Sequence, residues 1–225
     1  MCGRYTLAVS PSRLAARFSV TPPLDLQARY NIAPTQSVIA VRETTEGRQL
    51  ATLRWGLIPS WAKDATIGSR MINARSETVL EKPSFRAAFR QRRCLIPASG
   101  FYEWQTLPTG KQPFYFTLRD DDLIAFAGLW EQWRSPDGTV VESCTILTTA
   151  ANEIVAPIHE RMPVIIPSDL DALWLDPAAD IGQLYDLCRT PPPVTLHCYP
   201  VSPAVNQVRN DSEALIQPYS SLTSG

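Results

Sequence analysis

The sequence predicts an α+β fold: a mostly antiparallel, partly barrel-like sheet with flanking helices. Three observations predict it. Strand-like segments are not regularly interleaved with helical ones, which argues against a doubly wound parallel sheet. The 20 prolines are scattered, which suggests many short elements joined by rigid turns. No repeat, low-complexity tract or linker interrupts the 225 residues, so residues 1–225 read as a single domain, with 216–225 as a flexible tail.

The elements follow in order. PSRLAARF (11–18) reads as a short helix with Pro near its start. QSVIAVRE (36–43) and QLATLRWGLI (49–58) read as strands that pair across a turn. SETVLEKPSFRAAFR (76–90) reads as a helix capped at Ser76 and broken near Pro83. CLIPASGFYEW (94–104), PFYFTL (113–118), LIAFAGLW (123–130) and VVESCTILTT (140–149) read as strands. ANEIVAPIH (151–159) reads as a helix ending near Pro157. PSDLDALWL (167–175) and IGQLYDLCR (181–189) read as helices, the first with Ser168 as its N-cap. VTLHCYPV (194–201) reads as a late strand.

Composition bounds the function. The chain is 44% hydrophobic and 19% charged, ordinary for a globular protein able to bury a sizeable core. No stretch is apolar enough to span a bilayer, and Arg4, Arg13 and Arg17 interrupt any signal-peptide core, so an intracellular protein is expected. The five cysteines are widely spaced, none in a C-x-x-C, and there are two histidines. That pattern fits neither a disulfide framework nor a zinc site, and no metal or cofactor is expected.

The net charge of −1 hides an asymmetry. Residues 1–111 carry 16 Lys and Arg against 7 Asp and Glu, whereas 112–225 carry 5 against 15. A basic half points to a polyanionic partner. Arginine outnumbers lysine 18 to 3, and its planar fork suits phosphate and base stacking, although a GC-rich genome produces the same bias.

Several residues could carry chemistry. Cys2 follows the initiator Met, and a residue so near a terminus is commonly inert. Cysteine is small enough for Met1 removal, Gly3 lets the backbone turn closely, and Arg4–Leu7 resumes strand character. A freed Cys2 is a 1,2-aminothiol, with an amine pKa of about 7.7–8.0 and a thiol pKa of about 8.5. Its amine can condense with an aldehyde and its thiol can close a thiazolidine ring; alternatively the thiolate attacks a carbonyl with the amine as base. Glu103, in GFYEWQ, is either a proton-shuttling carboxylate in an apolar setting or, by alternation, a solvent-facing residue. His159 is either a general acid–base or a packed or surface residue. Arg161 could contact phosphate or pair with an acid. Asn73 and Arg75 share a face if their segment is extended, where Asn73 could bond a sugar or base and Arg75 a phosphate. YNIAPTQ (30–36) and RWGLIPSWA (54–62) add Pro34, Trp55 and Trp61; exposed aromatics beside arginines would suit stacking on unpaired bases, although most tryptophans are core.

Together MCGRYTL, YNIAPTQ, LRWGLIPSWA, NARSET, RRCLIPASGFYEW, FAGLWEQW, TTAAN, HERMPVII and VSPAVNQVRND resemble the signature blocks of the SOS response-associated peptidase (SRAP) family, in order from residue 1 to about 213. The resemblance implies a SRAP-type domain that recognises abasic sites in single-stranded DNA, especially at junctions with duplex. It implies that the processed Cys2 forms a thiazolidine with the ring-opened sugar, a crosslink that shields the lesion. It makes Asn73 the sugar-holding residue, Glu103 the acid/base carboxylate and His159 a proton donor for ring opening and crosslink reversal. Arg4, Arg75 and Arg161 match phosphate-contacting arginines, while Trp61 and Trp104 fall in blocks shaping the DNA groove and Pro34 in a loop near it. A cytoplasmic, nucleoid-associated monomer follows.

Other classes compete. A glutamine-amidotransferase-like N-terminal nucleophile hydrolase would continue with an apolar run where Arg4 stands and would carry further blocks absent here. A thiol autopeptidase acting on its own N-terminus would need the same residues. A non-catalytic single-strand binder would leave Cys2 incidental.

Overall fold

The computed structural model describes residues 2–119 and 123–219. Strands and α-helices follow in chain order: β1 (Tyr5–Leu7), α1 (Pro11–Phe18), β2 (Arg29–Ile32), β3 (Ser37–Thr44), β4 (Gly47–Trp55), β5 (Asn73–Arg75), α2 (Arg86–Gln91), β6 (Arg93–Ala98), β7 (Gly100–Leu107), β8 (Gly110–Leu118), β9 (Ile124–Arg134), β10 (Val140–Ala150), β11 (Arg161–Pro163), α3 (Asp171–Leu175), α4 (Ile181–Arg189) and β12 (Leu196–Pro200).

The expected α+β architecture is present, and its barrel closes. β10, β4, β3, β6 and β9 pair in a ring, because β10 pairs with both β4 and β9. Strand direction alternates at each antiparallel pairing, so a ring of five cannot be antiparallel throughout. One pairing must be parallel, and it is β4 with β10. β5 and β11 extend β10 beyond the ring. The second sheet runs β12-β8-β7-β1-β2, antiparallel throughout. Aromatic rings fill the space between sheet and barrel: Tyr5 meets Trp55 at 5.3 Å and Phe126 at 5.8 Å, and Phe101 stacks on Phe116 at 4.9 Å. Helices α2, α3 and α4 pack on the barrel strands.

Local chemistry explains what the sequence predicted well. α1 starts at Pro11 behind Ser10, whose side chain accepts from the Arg13 N–H, and ends at Ser19 in the left-handed region. α4 is capped by Asp180. β3 and β4 form the predicted hairpin, with Gly47 at φ +98° supplying the turn.

Five expectations are corrected. The segment 94–104 is two strands in different sheets: the chain leaves the barrel at Ala98 and enters the second sheet at Gly100. Ser99 makes the transfer, its N–H donating to Thr6 O and its Oγ accepting from the Ala8 N–H. At Gly100 a Cβ would lie 2.4 Å from the Tyr115 ring, so only glycine lets β7 pass. Residues 76–90 are a 3₁₀ turn at Ser76–Thr78, further turns, and then α2, because Pro83 lacks the donor a continuous helix needs. Ser76 caps nothing; its buried Oγ has no partner among the described residues. Residues 151–159 form successive turns, not a helix: Asn152 Oδ1 takes the N–H groups of Ile154 and Val155, and Pro157 cannot donate. Residues 167–175 begin as a 3₁₀ turn behind Pro167, so Ser168 is not an N-cap. The strand over 49–58 ends at Trp55, where Gly56 at φ +127° turns the chain. Of the expected tail, 220–225 lie outside the described residues, whereas Pro218 bridges Val201 and the Tyr219 N–H donates to Pro200 O.

Candidate active site

The antiparallel register of β1 and β7, Tyr5 opposite Phe101, carries the N-terminal segment along β7. The Tyr102 N–H donates to Arg4 O at 3.0 Å, so Gly3 comes level with Glu103. Cys2 is buried and its carbonyl accepts from Asn73 Nδ2 at 2.8 Å. Asn73 stands at the start of β5, which β10 holds in parallel register opposite Ile146. Upstream the chain makes a close approach, where a Cβ on Gly56 would lie 2.6 Å from Gly68 O. Asn73 Oδ1 is buried with no hydrogen-bond partner among the described residues.

Glu103 is 2% exposed, which overturns its solvent-facing reading. Alternation misleads here because β7 is covered on both faces. Phe101 packs toward the barrel, and Tyr102 packs with Val201, Val205 and Leu215 from the C-terminal blocks. Glu103 shares the Phe101 face. Burial raises its carboxyl pKa, and nearby His159 pulls in the opposite direction. Burial also raises the Cys2 thiol, with the Glu103 carboxylate adding to the effect.

His159 reaches the same place on a loop. Gln105, on the Glu103 face of β7, donates to Pro157 O at 3.1 Å and ties the loop down two residues before the imidazole. The Arg161 N–H donates to His159 Nδ1 at 2.9 Å. Arg161 also lies in an ion pair: its fork spans both Glu77 oxygens at 2.5 and 2.9 Å and reaches Thr148 O at 2.7 Å. The acid that Arg161 pairs with is Glu77. Tyr185 OH donates to the Glu77 carbonyl at 2.7 Å.

A cleft of about 420 Å³ opens between these groups, lined by Arg4, Glu103, Trp104, Lys111, His159 and Asn206. Arg4 Nη1 donates to Asn31 Oδ1 at 2.6 Å and Val205 O at 2.8 Å, and its guanidinium lies 5.9 Å from the Trp104 ring. Trp104 Nε1 donates to Asn206 at 2.7 Å. Thus Cys2, Asn73, Glu103, His159, Arg4 and Trp104 come together, while Arg75 lies exposed on the adjoining β5. Pro34 and Trp61 do not line this cleft. Pro34 is half-buried between β2 and β3, and Trp61 is 58% exposed over a separate depression with Lys63 and Arg70. The expectation that single tryptophans are core holds for Trp55 and fails for Trp61. Sequence reading missed Lys111, Gln105, Asn31 and Glu77. Gln105 was findable from its two-residue spacing to Glu103; Asn31, which also donates to the carbonyls of Val205, Gln207 and Asn210, carried no local signal.

Among the described residues, no three His, Cys, Asp or Glu side chains cluster to hold a metal ion, and no helix is long and apolar enough to cross a membrane.

A sequence profile described as SOS response associated peptidase (SRAP) matches residues 1–208. The chain is 42% identical over 222 residues to the abasic site processing protein YoqW of Bacillus subtilis, covering 96% of this chain and 99% of that one. It is 35% identical over 196 residues to the abasic site processing protein HMCES of Gallus gallus, covering 76% of this chain and 58% of that one. A crystal structure of a Bacteroides thetaiotaomicron protein superposes with a TM-score of 0.87 over 97% of this chain and 100% of that one, at 22% identity. One from Bordetella bronchiseptica superposes with a TM-score of 0.77 at 28% identity, over 89% and 100%. With the family profile spanning nearly all of the sequence, and relatives matched end to end, the chain belongs to the SRAP family.

Proposed function

We propose that this protein senses abasic sites in single-stranded DNA and, after Met1 removal, joins them through Cys2 as a thiazolidine that shields the lesion. The observation that carries this reading is the Asn73–Cys2 hydrogen bond beside a cleft lined by buried Glu103 and by His159. The family match and relatives that process abasic sites support it. Removal of Met1 concerns a residue outside those described.

The chemistry uses only groups of the chain and the sugar. His159 gives a proton to the ring oxygen as Glu103 takes one from the C1′ hydroxyl, and the C1′–O4′ bond breaks to leave an aldehyde. The Cys2 amine adds to C1′; one of its protons passes to the oxygen and the other back to His159, and with the proton returned from Glu103 the oxygen leaves as water, giving an imine. Sγ then bonds C1′ as the thiol proton passes to the nitrogen. Asn73 orients the sugar through its open Oδ1. Arg75 and Lys111, both exposed, and Arg4 in the cleft lining meet phosphates, while Arg161, paired with Glu77, lies outside that lining. Trp104, Trp61 and Pro34 border the path of the strand. A monomer acting at the bacterial nucleoid suits this chemistry.

The test is incubation with a single strand bearing one abasic site, read as a denaturant-resistant protein–DNA band. Cys2→Ala, and any tag ahead of Cys2, should abolish the band. Wild-type crosslinking by Cys2→Ala would end the thiazolidine reading. Affinity for undamaged single strands should fall steeply with salt; a flat response would favour a peptidase that never meets DNA.

A further inference from the structure

Glu77 follows β5 by two residues, and Arg161 opens β11 two residues after His159. β5 and β11 lie on opposite edges of β10, since Thr148 has Arg75 as one neighbour and Pro163 as the other. The Arg161 side chain crosses that strand end, takes Thr148 O and closes a two-bond fork on Glu77. Its side chain is only 12% exposed. Glu77 is itself held from α4 by Tyr185. One carboxylate therefore couples the strand carrying Asn73 to the strand that follows His159.

The coupling reaches the imidazole. A backbone N–H can only donate, so the Arg161 N–H aimed at Nδ1 requires a lone pair there. The Arg161 carbonyl lies farther from Nδ1, at 3.2 Å, and would accept only from a protonated Nδ1 that met the N–H head-on. Neutral His159 is thereby the Nε2–H tautomer, with a proton to give on the nitrogen that Arg161 does not use.

We propose that Glu77 is a positioning residue which, by clamping Arg161, fixes the Nε2–H tautomer of His159. This rests on the reading of His159 as the proton donor to the sugar. The test separates the two. The chain has two histidines, so ¹⁵N imidazole spectra can be assigned with a His197→Gln reference. The full-length wild type should show an unprotonated Nδ1 at His159. Glu77→Ala, and Glu77→Gln if the alanine variant folds poorly, should move population to the Nδ1–H form and slow abasic-site crosslinking about tenfold. Affinity for undamaged single strands should be held or raised, since Arg161 is released. Arg161→Lys, which keeps the charge and loses the fork, should behave like Glu77→Ala. An unchanged His159 tautomer in a folded Glu77 variant would overturn the positioning role. A tautomer shift with unchanged crosslinking would uphold that role and overturn the assignment of His159 as donor.

Discussion

β7 and the loop 151–160 each deliver one ionisable side chain to the same cleft, and they hold it by different means. β7 is bonded to β1 on one edge and β8 on the other, so pooled backbone bonds set the position of Glu103. The loop's backbone bonds run within it, Ala151 N–H to Glu160 O, Ala156 N–H to Asn152 O, and the Ile158 and His159 N–H groups to Val155 O. Its ties to the rest of the molecule include buried Val155 and the Gln105 and Arg161 contacts rather than a ladder. A ladder residue tolerates loss of any one side chain. A loop residue held by a few side chains loses its place when one is cut, and such segments open locally at lower free energy.

Substitutions can break or sharpen this contrast. The largest effect falls on Glu103→Gln, expected to slow crosslinking by about 10²- to 10⁴-fold, as removal of a general acid–base does. The same change should stabilise the fold. Burial raises the native pKa of Glu103 above its ordinary 4.5, so between those values the native state holds more protons than the unfolded one. Stability then falls as pH rises through that window, and the cost is fully present above the native pKa. Glu103→Gln should melt above wild type at pH 7, with the gap closing below about pH 4. A lower melting temperature at pH 7 would show that the ionised carboxylate is compensated in the fold.

Gly100→Ala comes next. Its Cβ meets Tyr115 at 2.4 Å, and overpacking of this kind costs about 1–3 kcal/mol. Chemical denaturation should show the loss as a lower midpoint at unchanged slope. Because β7 is ladder-held, abasic-site crosslinking by the folded fraction should survive; loss of activity without loss of stability would mean that Glu103 is less firmly placed than the ladder implies.

Asn152→Ala removes the acceptor for two loop N–H groups and should cost about 1 kcal/mol. Hydrogen exchange should accelerate at residues 154–159 while β7 amides stay protected; uniform acceleration would erase the distinction between the two regions. The smallest stability effect belongs to Gln105→Ala, below about 1 kcal/mol for one exposed hydrogen bond. Yet it frees Pro157, so crosslinking should slow more than stability suggests. Equal, small effects on both would show that Arg161 alone positions His159.

Much of this was legible in the sequence. The Pro11 start of α1, the Asp180-led α4 and the β3–β4 hairpin are short-range features, fixed by caps, turns and periodicity within a few residues. The family blocks marked Cys2, Asn73, Glu103 and His159. Illegible features depend on partners far along the chain. The residues 151–159 are a local exception: they have helical composition, but Asn152 and Pro157, inside the segment, make separate turns of them. CLIPASGFYEW has continuous strand character, and only its neighbours show that it serves two sheets.

The sequence by itself determined the α+β class, the local elements and the chemical identity of the reactive groups, because those depend on side-chain type and near-neighbour spacing. Tertiary structure alone decided that the barrel closes through one parallel pairing, which an odd ring requires. It buried Glu103 by covering a strand on both faces, and so raised its pKa. It engaged Arg161 with Glu77, residues 84 positions apart, and set Asn73 against Cys2 across 71. Burial and long-range hydrogen bonding are properties of the assembled layers, and no window of sequence contains them.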